Sequence, residues 1–214
     1  MITLLIVDDH DLVRTGLRHI ISGDSGIEVV GEAGDGEEAI IKNRDLKPDV
    51  VLLDISMPGL SGFEVTKRLR QASPDARIII LTVHTESPYP SKLLDAGATG
   101  YLTKGCEASE LLEAIHSVAC GKRYIGGDIA QRLALSLLPG ASKSPFDNLT
   151  SREIEVALML MQGMGAPQIA ETMKLSPKTV ATYKYRVYDK LNVHKEVELM
   201  KLALRYGIIE VENH

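Results

Sequence analysis

The chain has 214 residues, 44% of them hydrophobic and 25% charged, with a formal net charge of −5. That is room for one large or two modest domains and the composition of an ordinary soluble globular protein. No apolar stretch approaches the ~18 residues of a membrane span, and strand-like residues 2–7 run straight into acids, unlike a secretory leader. Cys106 and Cys120 lack CxxC spacing, so neither a zinc site nor a redox pair is expected, and both read as buried thiols of a cytosolic protein.

The first 120 residues alternate between continuous apolar runs and helical periodicity. ITLLIV (2–7) predicts a strand, and 11–22 a helix with Leu12, Leu17, Ile20 and Ile21 apolar. Strand 27–33 leads to helix 36–46, strand 49–54 to helix 62–72, and strand 76–82 to a segment at 91–97 shortened by Pro88 and Pro90. Strand 100–103 then leads to helix 107–121. Five such units predict an α/β fold, a doubly wound five-stranded parallel sheet covered on both faces.

A helical stretch at 127–138 ends in PGASKSP (139–145), the clearest domain boundary. The expected division is a first domain at 1–121, a linker at 122–145 and a C-terminal domain at 146–211. The tail is all helix by pattern. Thr150 to Glu153 form a capping box for a helix to about 162, ended by Gly163. Pro167 suits the first turn of a helix through Met173, and Ser176-Pro177 opens one to about Leu191. A fourth runs from about 195 to 206 and meets Gly207. Met159, Met161, Met164 and Met173 read as core filling.

Four strand ends carry chemistry. Asp8 and Asp9 follow the first strand, Asp54 the third, Thr82 the fourth and Lys104 the fifth. In a flavodoxin-like sheet of order 2-1-3-4-5, strands 1 and 3 are neighbours at the switch point, and these side chains emerge at one carboxyl edge. Three carboxylates, a hydroxyl and an ammonium suit a divalent cation and a phosphoryl group. Magnesium takes oxygen ligands from one or two carboxylates and several waters. Phosphoryl transfer needs positioning and charge neutralisation more than covalent help. Without a cation, three carboxylates crowd one lysine. Taken singly, Asp8-Asp9 would read as a cap for helix 11–22 and Asp54 as a turn residue.

VDDH (7–10), LLDISMPGLSG (52–62), LTV (81–83) and YLTKG (101–105) resemble the receiver domains of two-component response regulators over residues 1–121, a CheY-like fold. The resemblance implies that Asp54 accepts phosphate from a sensor histidine kinase and that Asp8 and Asp9 help bind Mg2+ (or Mn2+). It implies that the backbone carbonyl of Ser56 completes the metal shell and that Thr82 and Lys104 read the phosphate. Tyr101 matches the aromatic that turns inward when the threonine moves. Gly105 departs from the pattern, since many receivers carry proline there. Ser56 and His84 are candidates for setting the phosphate lifetime, and His10 reads as a loop residue.

Charge is unevenly distributed. Residues 1–121 hold 11 Lys/Arg against 19 Asp/Glu, whereas 174–195 hold six bases and one acid. In helix 177–191 the apolar stripe is Val180, Tyr183, Val187 and Leu191. The opposite face carries Lys178, Ala181, Thr182, Tyr185 and Arg186, with Lys184 at the flank. Small, hydroxylated and basic residues there suit a major groove, and the preceding short helix and turn make a helix-turn-helix.

LTSREIEVALML (149–160), QIAETMKLSPKTVATY (168–183) and DKLNV (189–193) resemble the LuxR/FixJ-type DNA-binding domain, a four-helix unit. The resemblance implies a recognition helix at 177–190 and a dimerising helix at 195–207. Ala181, Thr182 and Tyr185 are candidates for base edges; Lys178, Thr179, Lys184, Arg186 and Lys190 are candidates for phosphates. Ala166-Pro167 stands where Asn-Lys is common, and Tyr183 where histidine is frequent.

With DHDLVRTGL (9–17) and SPFDNLTSREIE (144–155), the two halves together resemble the GacA/UvrY/SirA branch of the NarL/FixJ family. That implies a cytoplasmic transcription regulator, homodimeric when active on double-stranded promoter DNA, with control of small regulatory RNA genes. The resemblance implies no enzymatic activity beyond phosphotransfer to, and hydrolysis from, its own Asp54. A dehalogenase-type phosphatase is the rival reading, but it needs an acid two residues after the nucleophile, where Ser56 stands. GEAGDG (31–36) has the wrong glycine spacing for a dinucleotide fingerprint. A ligand-gated regulator would need an enclosed apolar pocket.

Overall fold

The computed structural model describes residues 1–57, 59–83, 89–136, 138 and 144–209. The chain divides into two compact units, one of residues 1–85 and 90–135, the other of residues 136–214 with 86–89. Among the described residues, no helix is long and apolar enough to cross a membrane.

The first unit runs β1 (Ile2–Val7), α1 (Asp11–Ile21), β2 (Ile27–Ala33), α2 (Gly36–Leu46), β3 (Val50–Leu53), α3 (Gly62–Ala72), β4 (Arg77–Thr82), α4 (Tyr89–Ala96), β5 (Gly100–Thr103), α5 (Ala108–Ala119), β6 (Tyr124–Ile125) and α6 (Gly127–Ser136). The strands are parallel throughout, in the order β2-β1-β3-β4-β5-β6. All of β3 is buried, which is why its sequence shows no alternation. On one face of the sheet, Leu4, Ile6, Leu52, Ile79, Leu81 and Leu102 pack with Leu17, Ile21, Leu111, Ile115 and Val118.

Three features differ from the sequence reading. The sheet has a sixth strand, formed by residues assigned above to the linker. Tyr124 N donates to Thr99 O (3.1 Å) and Gly126 N to Tyr101 O (2.9 Å), pairing the edge that β5 would otherwise leave open. Leu12 is 85% exposed. It lies about 140° around the helix from Leu17 at 100° per residue, so Leu17 and Ile21 reach the sheet and Leu12 does not. The cysteines are not both buried: Cys106 is half-buried, and Cys120, at the end of α5, is exposed. Helix α4 starts at Tyr89 and takes Pro90 into its first turn, where a missing N–H costs no helical bond. Pro88 and the linker residues 139–143 lie outside the described residues.

The second unit holds a 3₁₀ turn (Pro145–Asn148) and helices α7 (Ser151–Met161), α8 (Ala166–Met173), α9 (Pro177–Leu191) and α10 (Glu196–Arg205). The capping box forms: Glu153 N donates to Thr150 Oγ1 (3.3 Å) and Thr150 N to Glu153 Oε2 (2.8 Å). Ser176 caps α9 through Thr179 N (3.1 Å), with Pro177 in the first turn. Gly163 and Gly207 close α7 and α10 at φ 80° and 64°, a backbone region that side chains avoid. Phe146, Ile154, Ile169, Val180, Val187 and Leu199 form the interior, together with Met159, Met161 and Met173; Met164 is half-buried.

Candidate functional site

The neighbouring strands β1 and β3 end in register, Val7 opposite Leu53, so Asp8 and Asp54 follow side by side. Both are almost wholly buried, at 1% exposure. Lys104, just past β5, reaches across with its Nζ 2.6 Å from Asp54 Oδ2 and 2.7 Å from Asp8 Oδ2. Burial alone would lower the pKa of this ammonium; the hydrogen bonds and charges of Asp54 and Asp8 outweigh it and hold the group above the ordinary lysine value. Ser56 N donates to Asp54 Oδ1 (3.1 Å), fixing the carboxylate's second oxygen. Thr82 closes β4, opposite Thr103, and is fully buried, as is the ring of Tyr101 one strand over. Lys104 N donates to Thr82 O (2.9 Å), tying the ends of β4 and β5 together.

Asp8 and Asp9 do not cap α1. The N-cap is His10, which makes no side-chain cap bond, and Asp8 Oδ1 instead accepts from His10 N (2.9 Å). Ligand atoms of Asp8, Asp9, His10 and Asp54 lie within 4.8 Å of one another, a cluster that could hold a metal ion. The His10 Nδ1 is 3.2 Å from Asp8 Oδ1 and 2.9 Å from Asp9 Oδ1, so this residue, read above as a loop residue, stands within the cluster. Asp9 Oδ1 is buried and makes no hydrogen bond, a near polar neighbour here being the His10 ring nitrogen. An orphaned carboxylate oxygen beside two more carboxylates is a donor set that fits a hard divalent cation.

Arg14 is a residue that sequence reasoning missed. Its Nη1 donates to Asp8 O (2.6 Å) and its Nε to Glu32 Oε2 (3.3 Å), and it pairs with Asp11. The i, i+3 spacing of Asp11 and Arg14 on α1 was the only sequence signal for it. His84 lies outside the described residues; Ser56 is exposed.

In the second unit, α8 ends at Lys174 in a left-handed conformation (φ 55°), and a short turn leads to the Ser176 cap and α9. Val180, Val187 and Leu191 are buried, while Lys178, Ala181, Thr182, Tyr185 and Arg186 are exposed. Ser176, Lys178, Thr179, Thr182, Tyr183 and Arg186 line a shallow hollow of about 300 Å³ along this helix. Two of its flanking lysines are held internally. Lys184 pairs with Glu196 (2.6 Å) and lies 5.4 Å from the centre of the Tyr188 ring. Lys190 pairs with the buried Glu153 (2.7 Å) and donates to Asn148 O (3.2 Å).

Comparison with known proteins fits both surfaces. Residues 4–116 match the response regulator receiver domain, and residues 147–203 match the luxR family of bacterial regulatory proteins. The chain is 49% identical to response regulator UvrY of Escherichia coli K12, over 99% of this chain and 98% of that protein. It is 48% identical to response regulator GacA of Pseudomonas viridiflava, over 98% and 99%. Among solved structures it resembles RcsB from Salmonella enterica serovar Typhimurium, bound to promoter rprA with the phosphomimetic BeF3−. There the TM-score is 0.77 at 25% identity, covering 94% of this chain and 98% of that one. The chain belongs to the response regulators that join a receiver domain to a LuxR-type DNA-binding domain.

Proposed function

We propose that this chain is a phosphorylation-dependent transcription regulator of the cytoplasm whose receiver, residues 1–121 with β6 (Tyr124–Ile125) completing its sheet, controls promoter binding by residues 146–211 across the rest of the linker at 122–145. Asp54 accepts the phosphoryl group of a sensor histidine kinase. A carboxylate oxygen attacks phosphorus, the phosphorus–nitrogen bond to the kinase imidazole breaks, and the imidazole leaves with a proton. Asp8, Asp9, Asp54 and the Ser56 carbonyl hold a divalent cation, Mg2+ or Mn2+. When bound, the cation offsets the charge that develops on the transferring group. Lys104 turns from its carboxylate partners to a phosphoryl oxygen, and the Thr82 hydroxyl takes another. Tyr101 then fills the space that Thr82 leaves, which alters the surface around β4 and β5.

That change favours a homodimer whose two α9 helices enter the major groove of double-stranded DNA at half-sites about one helical turn apart. Ala181, Thr182 and Tyr185 meet base edges; Lys178, Thr179 and Arg186 meet phosphates, with Lys184 and Lys190 contributing at the flank. The protein turns over no external substrate; its chemistry is phosphotransfer to Asp54 and hydrolysis from it.

The observation that carries this reading is the buried Asp8–Lys104–Asp54 bridge at the carboxyl edge of the sheet. Incubation with radiolabelled acetyl phosphate and Mg2+ tests it. The wild type becomes labelled and Asp54→Ala does not; an unlabelled wild type removes the central claim.

A further inference from the structure

The middle of the outward face of α9 is short of the side chains that read bases through paired hydrogen bonds. Arginine or lysine takes guanine and asparagine or glutamine takes adenine in this way. Over the middle turns this helix instead exposes Ala181, Thr182 and Tyr185, and Tyr185 is 73% exposed. Lys178 and Arg186 stand at the two ends of that stretch.

Each of the three offers carbon. Ala181 has a methyl group and Tyr185 a ring with a phenol at its tip. Thr182 has a hydroxyl, but Oγ1 donates its one hydrogen to Lys178 O (3.0 Å). What remains for a base is a methyl group and acceptor lone pairs. The base that carries carbon into the major groove is thymine, through its C5-methyl group, and alanine and threonine methyls are the usual apolar partners of that group.

We propose that α9 selects its half-site chiefly by packing thymine C5-methyl groups against Ala181, Thr182 and Tyr185, with Lys178 and Arg186 supplying sequence-independent attraction to phosphates. The inference rests on the reading of α9 as the groove-entering helix and names what that helix reads there. Loss of one buried methyl costs about fourfold in affinity.

The test uses the full chain, phosphorylated with acetyl phosphate and Mg2+. Duplexes are first selected from a randomised library. The selected duplex and a scrambled duplex are then made with thymidine or with deoxyuridine, and all four affinities are measured at one salt concentration. Deoxyuridine weakens the selected duplex by about fourfold or more and leaves the scrambled one unchanged. Thr182→Ser, which removes the methyl and keeps the hydroxyl, narrows the thymidine-to-deoxyuridine ratio. Thr182→Val, which exchanges the hydroxyl for a methyl, retains or widens it. Equal binding of the two selected forms overturns the proposal, and so does a ratio lost in Thr182→Val but kept in Thr182→Ser, which assigns the readout to the hydroxyl. A wild type that selects no duplex overturns the underlying reading of α9 as well, so the two failures are distinguishable.

Discussion

Lys104 bridges two carboxylates that are each 1% exposed. Replacing it with methionine keeps most of the stem and removes the charge, leaving Asp8 and Asp54 buried without their counter-charge beside the already orphaned Asp9 Oδ1. Breaking a buried pair by removing one partner costs about 3–5 kcal/mol. The Lys104 side chain keeps 18% of its surface in water, so the lower end, about 3 kcal/mol, is expected for the cation-free protein. The same substitution removes the ammonium that would compete with a metal ion for Asp8 and Asp54. A tenfold tighter site corresponds to about 1.4 kcal/mol. With Mg2+ at roughly ten times the wild-type dissociation constant, linkage stabilises the wild type by about 1.4 kcal/mol and the variant by about 2.7 kcal/mol. Urea unfolding of the full chain, followed by circular dichroism with and without Mg2+, measures both quantities. A Lys104→Met protein as stable as wild type without cation, or one that gains no more from Mg2+ than wild type does, would refute this account of the lysine as an exchangeable counter-charge.

Gly62→Ala builds a Cβ 2.8 Å from Ile55 Cα and closer still to the Ile55 side chain, so the segment after Asp54 must move. A stability loss of about 1–3 kcal/mol together with slower acetyl phosphate labelling is expected, and unchanged labelling would show that the segment tolerates the shift. Burial would raise the Glu153 carboxyl, but the Lys190 ammonium and the Thr150 amide and hydroxyl hold it below the ordinary value of 4.5. Its stabilisation is therefore present above pH 4.5 and lost as pH falls through the lowered value. Glu153→Gln should flatten that acid loss in urea titrations that follow the Val187 methyl signals by NMR, and an unaltered slope would count against the pairing. Lys178→Ala should reduce the salt dependence of DNA binding by about 0.9 per protomer, whereas Lys190→Ala, which removes a base already matched by Glu153, should reduce it less; equal reductions would place both bases on phosphates.

What was legible in the sequence is what local rules encode. Strands β1, β3, β4 and β5 are buried on both faces, so their ends are marked by an abrupt change from aliphatic to polar residues, and Asp8, Asp54, Thr82 and Lys104 stand at those changes. The helices of the second unit announce themselves through Thr150 with Glu153 and through Ser176-Pro177, whose partners are three residues apart or fewer. The features that escaped depend on distance. Strand β6 is two residues long and gains its bonds from a strand some twenty residues earlier. The orientation of α1, which turns Leu12 outward, is set by the sheet and not by the helix. Arg14 on the Asp8 carbonyl and Glu153 on Lys190 join residues whose relation only the folded chain supplies.

Pairing across the folded chain also changes what the charge pattern means for partners. Six bases against one acid in 174–195 give a local excess of +5, but Glu153 and Glu196, both outside that segment, each take up one of the lysines. The excess available to a polyanion is nearer +3. The pairing is also asymmetric in strength. Glu153 is buried, so Lys190 is fixed as a strut between α9 and the start of α7, and its release would strand a carboxylate in the interior. Glu196 is half in solvent, where an ion pair adds little, so Lys184 can exchange it for a phosphate at small cost. Helix α9 is thus anchored on one flank and adjustable on the other, and between Lys178 and Arg186 its outward face presents small and aromatic side chains, which contribute shape and carbon where the sequence count suggested mainly charge.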